Sequence, residues 1–185
     1  LGDLTVLQYP DSSLFFTEAP SGLVRGPLFE FNTKNGVFQE LLSGFGIIAL
    51  PSPKNSKILI SQTLSGGKLL NLRIFTRADG KESSITAYTL SEKCGWANED
   101  ILFCGVPRNP VSQTLMPDNY YKGLIEMNDA LVRIDTLDVS VTRYEAEGFD
   151  RGLDIQDILV DPAGQYVFFR DQKTDFLYSF LLPKQ

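Results

Sequence analysis

Strand-length runs of apolar residues alternate with clusters of Pro, Asp, Asn, Ser and Gly along the whole chain. Four times such a run ends in a polar turn, and a second, more hydrophobic run follows. Tyr9-Pro10-Asp11-Ser12 leads into Leu14-Phe15-Phe16, and Ser52-Pro53-Lys54-Asn55 into Lys57-Ile58-Leu59-Ile60. Trp96-Ala97-Asn98-Glu99 leads into Ile101-Leu102-Phe103-Cys104, and Asp161-Pro162-Ala163-Gly164 into Tyr166-Val167-Phe168-Phe169. Counted from Tyr9, Ser52, Trp96 and Asp161, these turns lie 43, 44 and 65 residues apart. A period near 40–45 residues with several strands per unit is the signature of propeller blades.

Within each unit the pattern predicts a meander of antiparallel strands. The first has Leu4 to Gln8, Leu14 to Thr17, Leu28 to Asn32 and Val37 to Leu42; the second has Ile47 to Leu50, Ile58 to Gln62, Leu69 to Thr76 and Ser83 to Ala87. Strands are expected in the third at Ser91 to Trp96, Ile101 to Gly105, Ala130 to Ile134 and Val139 to Tyr144. The fourth has only Gln156 to Val160, Gln165 to Arg170 and Phe176 to Leu182. Polar residues two apart in Leu69-Leu70-Asn71-Leu72-Arg73-Ile74-Phe75 mark a less buried face, and Phe29 shares a face with Phe31. Asn35-Gly36, Gly66-Gly67 and Asp79-Gly80 read as turns. No long amphipathic helix is visible.

The expected fold is therefore all-β: about four propeller blades of four-stranded meanders in one domain, at 1–43, 44–87, 88–145 and 146–185. Two readings follow from the short fourth unit: half of a larger propeller, the one preferred, or a compact four-bladed ring with loose closure. An unpaired blade edge is an aggregation hazard, and upstream blades would supply what is missing. The third unit carries a long loop, 106–129. Its Arg108, Met116, Tyr120 and Tyr121 are of types enriched at recognition surfaces, which makes them candidate binding residues. The competing reading packs the tyrosines inward, covering the blade or the channel mouth.

Composition narrows the chemistry. The chain has 185 residues, a net charge of −6 and no histidine. The charge argues against nucleic acid and an anionic membrane surface. Without histidine there is no Ser-His-Asp triad, Cys-His pair or histidine metal ligand. Proton transfer would fall to a perturbed carboxylate, Lys or Tyr, and none is marked by its surroundings in sequence. Glu145, Glu147, Asp150, Asp154 and Asp157 lack calcium-loop order and read as a solvated acidic connector. Asn32 to Gly36 and Asp135 to Asp138 read as turn chemistry. No catalytic residue, cofactor or metal site is expected. Leu1 in place of methionine and the lack of a leader or long apolar run suggest an excised or processed part of something longer.

Cys94 and Cys104 flank one repeat turn. If that hairpin is centred on Glu99 the two face each other, close enough for a disulfide. The alternative is a pair of buried thiols. A bridge would point to an oxidising, extracytoplasmic compartment.

Around Trp96 and the other repeat turns the chain resembles TolB-like and WD-repeat propellers, in which Trp-Ser-Pro-Asp-Gly opens the same hairpin. Glu92-Lys93-Cys94-Gly95-Trp96, Leu102-Phe103-Cys104-Gly105-Val106-Pro107, Pro117-Asp118-Asn119-Tyr120-Tyr121-Lys122-Gly123 and Val132-Arg133-Ile134-Asp135 resemble propellers of candidate-phylum (Patescibacteria/Parcubacteria) bacteria. That resemblance implies the C-terminal part of a cell-surface propeller with an N-terminal anchor absent from this chain, and carries no established activity. The expected function is a non-catalytic module for protein or glycan binding or scaffolding. The alternative is an accessory or gating propeller of a larger hydrolase whose catalytic residues lie elsewhere.

Overall fold

The structure, a computed structural model, describes residues 4–8, 13–109, 114–145 and 152–183. It is all-β, with antiparallel strands in sequence order. They are β1 (Leu4–Gln8), β2 (Ser13–Glu18), β3 (Arg25–Asn32), β4 (Phe38–Pro51), β5 (Lys57–Thr63), β6 (Asn71–Thr76) and β7 (Lys81–Ile85). Next come β8 (Cys94–Trp96), β9 (Ile101–Pro107), β10 (Asp129–Asp135), β11 (Ser140–Tyr144), β12 (Ile155–Val160), β13 (Tyr166–Asp171) and β14 (Leu177–Leu181). One helical turn, α1 (Asp118–Tyr121), and one 3₁₀ turn, Ser91–Lys93, interrupt them. The turn Tyr9-Pro10-Asp11-Ser12 lies outside the described residues.

Three sheets result: β1 through β7 in order, β8 through β11, and β12 through β14. The first contains two meanders, because β4 pairs with β3 along its first half and with β5 along its second. The sequence suggests two strands here, Val37 to Leu42 and Ile47 to Leu50; they are one. The chain bends without breaking, with a register shift between Phe45 and Ile48 and Gly46 at φ 59°. Ser91 to Trp96, expected as one strand, is a 3₁₀ turn followed by a short strand. The Lys93 amide closes the turn on the Leu90 carbonyl at 3.0 Å, while Ser91 donates to the Ile48 carbonyl and Lys93 enters a buried charge cluster.

The four meanders stack face to face around three apolar layers. Phe15 and Leu28 of the first meet Ala49, Ile58 and Ile60 of the second. Leu59, Leu72 and Ile74 of the second meet Leu102, Cys104 and Val132 of the third. Phe103 and Leu131 of the third meet Ile155, Val167 and Phe169 of the fourth. Alternate residues of each second strand thus pack in opposite directions, as period-2 side-chain geometry requires.

Polar latches cross the junctions. The Glu99 carboxylate accepts hydrogen bonds from the Ser52 and Ser56 hydroxyls and from the Lys54 amide at 2.8 Å. Burial pushes this carboxyl up, but those bonds outweigh it and hold it below the usual range. Between Phe29 and Phe31, Glu30 points into the first junction, 2% exposed, and pairs with Arg77 at 2.7 Å. The two phenylalanines share the opposite, outward face, as the alternation implies. β8 and β12 lie so close that a Cβ on Gly95 would meet the Ile158 carbonyl oxygen at 2.2 Å. The first strands of these meanders are therefore the ones nearest the axis of the arc.

Candidate functional site

Cys94 pairs with Cys104 in register, beside Gly95 with Phe103 and Trp96 with Leu102, and the two cysteines form a disulfide. The hairpin centred on Glu99 is the one expected, and both sulfurs are buried in the second apolar layer.

The long third-meander loop runs from β9 to β10, with 110–113 outside the described residues. Its second part, 114–127, crosses the end of the sheets at which β8 and β12 begin. It works as a clasp on all four meanders. The Met116 amide donates to Gly67 O at 3.0 Å, while Asp118 accepts from Ser21 Oγ at 2.8 Å and the Gly22 amide at 2.7 Å. Tyr120 OH donates to Asp154 at 2.9 Å and Tyr121 OH to Glu92 at 2.9 Å. Beneath the clasp lies a small apolar cluster of Leu70, Leu90, Met116, Tyr120 and Met127. The approach is close enough to demand glycine. A Cβ on Gly22 would meet Met116 O at 2.4 Å, and one on Gly67 would meet the same atom at 2.6 Å.

The four candidate residues therefore separate. Met116 (1% exposed) and Tyr120 (7%) pack inward. Tyr121 is half exposed. Arg108 lies apart, holding Glu145 at 2.8 Å beside the end of β11. Tyr120 and Tyr121 line a cleft of about 510 Å³, walled also by Glu92, Glu126, Asp154, Gln156, Asp157 and Lys173. A groove of about 600 Å³ at the opposite end of β8 and β12 is walled by residues such as Ile101, Phe103, Val160 and Leu181, with Arg133 at its side.

Behind the cleft sits an ionic cluster that the sequence did not reveal. Lys93, wholly buried, pairs with Asp129 at 2.8 Å and with Asp154. Asp154 also accepts from Tyr120 OH and the Met127 amide. Asp129 Oδ2 accepts from the Ile155 amide at 2.8 Å, and Asp129 Oδ1 has no hydrogen-bond partner. Burial drives the Asp129 carboxyl up to about 6, against the pull of Lys93. Burial and the adjacent Asp154 and Glu92 carboxylates raise the Tyr120 and Tyr121 hydroxyls respectively. Glu92 is raised by desolvation, partly offset by Tyr121 and Lys93.

Two expectations are corrected here. Asp154 is no part of a solvated connector; it is 2% exposed because Lys93 and Tyr120 satisfy it inside. Glu147 and Asp150 lie outside the described residues. A perturbed carboxylate does exist, in Asp129. Nothing local marks Lys93 or Asp129, since each lies in ordinary strand-flanking sequence, with partners 36 and 61 residues away for Lys93 and 36 and 26 residues away for Asp129. Among the described residues no cluster of three or more Cys, Asp or Glu could hold a metal, and no helix is long and apolar enough to cross a membrane.

No protein-family model matches the chain, and no curated protein matches it in sequence. Solved structures do. TolB from Acinetobacter baumannii is 11% identical, with a TM-score of 0.59, over 97% of this chain and 44% of that one. The β-propeller domain of the Trilobed protease from Pyrococcus furiosus is 11% identical, with a TM-score of 0.63, over 98% and 55%. Oligogalacturonate lyase in complex with manganese is 12% identical, with a TM-score of 0.63, over 99% and 48%. The chain spans about half the length of each. With three packed layers of antiparallel meanders and these likenesses together, the chain has the fold of β-propeller blades.

Proposed function

We propose that the chain is a non-catalytic, extracytoplasmic propeller module that binds a protein ligand through the clasp face, its cleft receiving a basic side chain. The observation that carries this reading is the cleft itself. Glu92, Glu126, Asp154 and Asp157 line it, Asp154 held from within by Lys93, Asp157 by Arg170 at 2.6 Å and Glu126 facing Lys173 at 3.6 Å, and Tyr121 stands half exposed beside them. A lysine or arginine entering there would gain charge-assisted hydrogen bonds and the flank of an aromatic ring. The buried Cys94–Cys104 bridge supports an oxidising location. The absence of histidine supports the non-catalytic part, and Asp129, whose proton affinity is raised, is sealed from any substrate. In this reading the blades span 1–43, 44–87, 88–145 and 146–185, one arc of a larger ring that further blades complete.

The test is an array of lysine- and arginine-bearing peptides, against neutral and acidic controls, probed with the wild type and with Tyr121→Ala and Asp157→Asn. Basic peptides should be retained, released by salt and lost at least tenfold in affinity with either variant, about 1.4 kcal/mol. Equal retention of acidic peptides, or variants that bind like wild type, would remove the cleft from the function.

A further inference from the structure

Lys93 is the one lysine among the described residues that is wholly buried, and its Nζ meets Asp129 Oδ2 at 2.8 Å and Asp154 Oδ1. The three side chains come from separate elements. Lys93 ends the 3₁₀ turn before β8, Asp129 opens β10, and Asp154 directly precedes β12. Backbone bonds fix both acids. The Ile155 amide donates to Asp129 Oδ2 at 2.8 Å, and the Asp154 amide donates to Asp171 Oδ1 at 2.8 Å. Burying an ion pair gains little, because desolvation offsets the attraction. This cluster also has parts that an ion pair does not need. A second carboxylate faces the same amine, its Oδ1 has no hydrogen-bond partner, and the Tyr120 hydroxyl donates to Asp154 Oδ1 at 2.9 Å.

We propose that Lys93 and Asp154 condense to an amide, an isopeptide cross-link between the third and fourth meanders, with Asp129 carrying the protons. The ionic arrangement is the state that precedes the bond. Asp129 relays one proton from the Lys93 ammonium to Asp154 Oδ2, so that a free amine faces a neutral carboxyl. Nζ then attacks Cγ of Asp154 and the C–N bond forms. Negative charge gathers on Oδ1, where the Tyr120 hydroxyl already donates. Asp129 takes a second proton from the nitrogen and passes it to Oδ2, the C–Oδ2 bond breaks, and water leaves. Ammonium plus carboxylate has become amide plus water, and Asp129 ends as it began. Its carboxyl, raised by burial to about 6, exchanges protons readily near neutral pH. Burial also raises the Tyr120 hydroxyl, which therefore keeps its proton and remains a donor.

Three features of the site favour the reaction. In bulk water a solvated ammonium and carboxylate do not condense, but here burial has removed that solvation. Condensation also abolishes two buried charges. The fold holds amine and acid in contact, and such placement is worth an effective concentration of about 10⁵–10⁸ M in well-oriented systems. The bond would join residues 61 positions apart. The residue next to Lys93 is Cys94, whose disulfide ties β8 to β9. With the amide in place, β8 is fastened covalently to β9 on one side and to the start of β12 on the other.

The test is intact-mass spectrometry of the purified protein after unfolding and reduction of the disulfide. The wild type, 20.6 kDa by sequence, should be lighter by one water. Proteolysis and fragmentation should find a branched peptide joining Lys93 to Asp154. Lys93→Arg and Asp154→Ala should each keep the full mass of their sequence. Asp129→Asn should react at least about a hundredfold more slowly, as loss of a proton carrier requires, and remain at full mass when the wild type is complete. Circular dichroism separates a variant that does not fold from one that does not react, and the wild-type mass and branch need no variant. A wild type at full sequence mass would overturn the proposal. So would a branch at Asp129, an Asp129→Asn protein that converts like wild type, or water lost without a branch, as by succinimide formation at Asp79-Gly80.

Discussion

A lysine between two buried aspartates sets the energetics of this protein at the residue scale. Lys93 meets Asp129 and Asp154 with no solvent to share the charge, so the cluster carries one carboxylate more than it has cations. Burial, far more than the neighbouring Asp154, raises the Asp129 carboxyl to about 6 from 3.8, and its Oδ1 has no hydrogen-bond partner. The folded state holds this proton to a higher pH than the unfolded chain does. Between about pH 4 and 6 the native state therefore binds more protons, and this group's contribution to stability falls as pH rises through that window. The loss is on the order of 3 kcal/mol by the size of the shift. Asp129→Asn should flatten that part of the stability profile, read from urea midpoints at pH 4 and pH 7; an unchanged slope would exclude Asp129 as its source. Lys93→Met leaves two facing carboxylates and should cost about 3–5 kcal/mol, appearing in the same titration as a lower midpoint throughout.

At the scale of elements, the β8–β9 hairpin and the clasp behave differently and were differently legible. Residues facing across the hairpin sum to a constant once its centre is placed on Glu99, so Cys94 opposite Cys104 could be read from spacing alone. Closing this short loop stabilises by about 2–3 kcal/mol on a chain-entropy account. Non-reducing mass spectrometry should find the bridge, and reductant should lower the thermal midpoint of the wild type while leaving a Cys94→Ala/Cys104→Ala variant unmoved. Turn residues were equally readable: Asn32 caps the amide of Lys34, and Asp138 that of Ser140. The clasp was not. Its length announced a special loop, but its grip on Gly22 and Gly67 joins residues 96 and 49 positions apart, beyond any local pattern. The same distance hid Lys93 and left Asp154 looking like part of a hydrated acidic run.

For the molecule as a whole, the order of meanders followed from the repeat, because each turn-and-strand unit is a local signal. The bend that merges two expected strands into β4 was invisible, since Gly44 and Gly46 resemble turn glycines as readily as the pivot of a continuous strand. That continuity has a consequence for how the protein breathes. One ladder of backbone bonds runs unbroken from β1 to β7, whereas among the described residues only side chains and the clasp hold the third and fourth meanders to it. Deuterium should therefore enter the amides of β3 and β5 at a common subglobal opening energy, as one cooperative foldon. Those of β13 should be free to open on their own, and distinct opening energies for β3 and β5 would show that the pivot yields like a hinge.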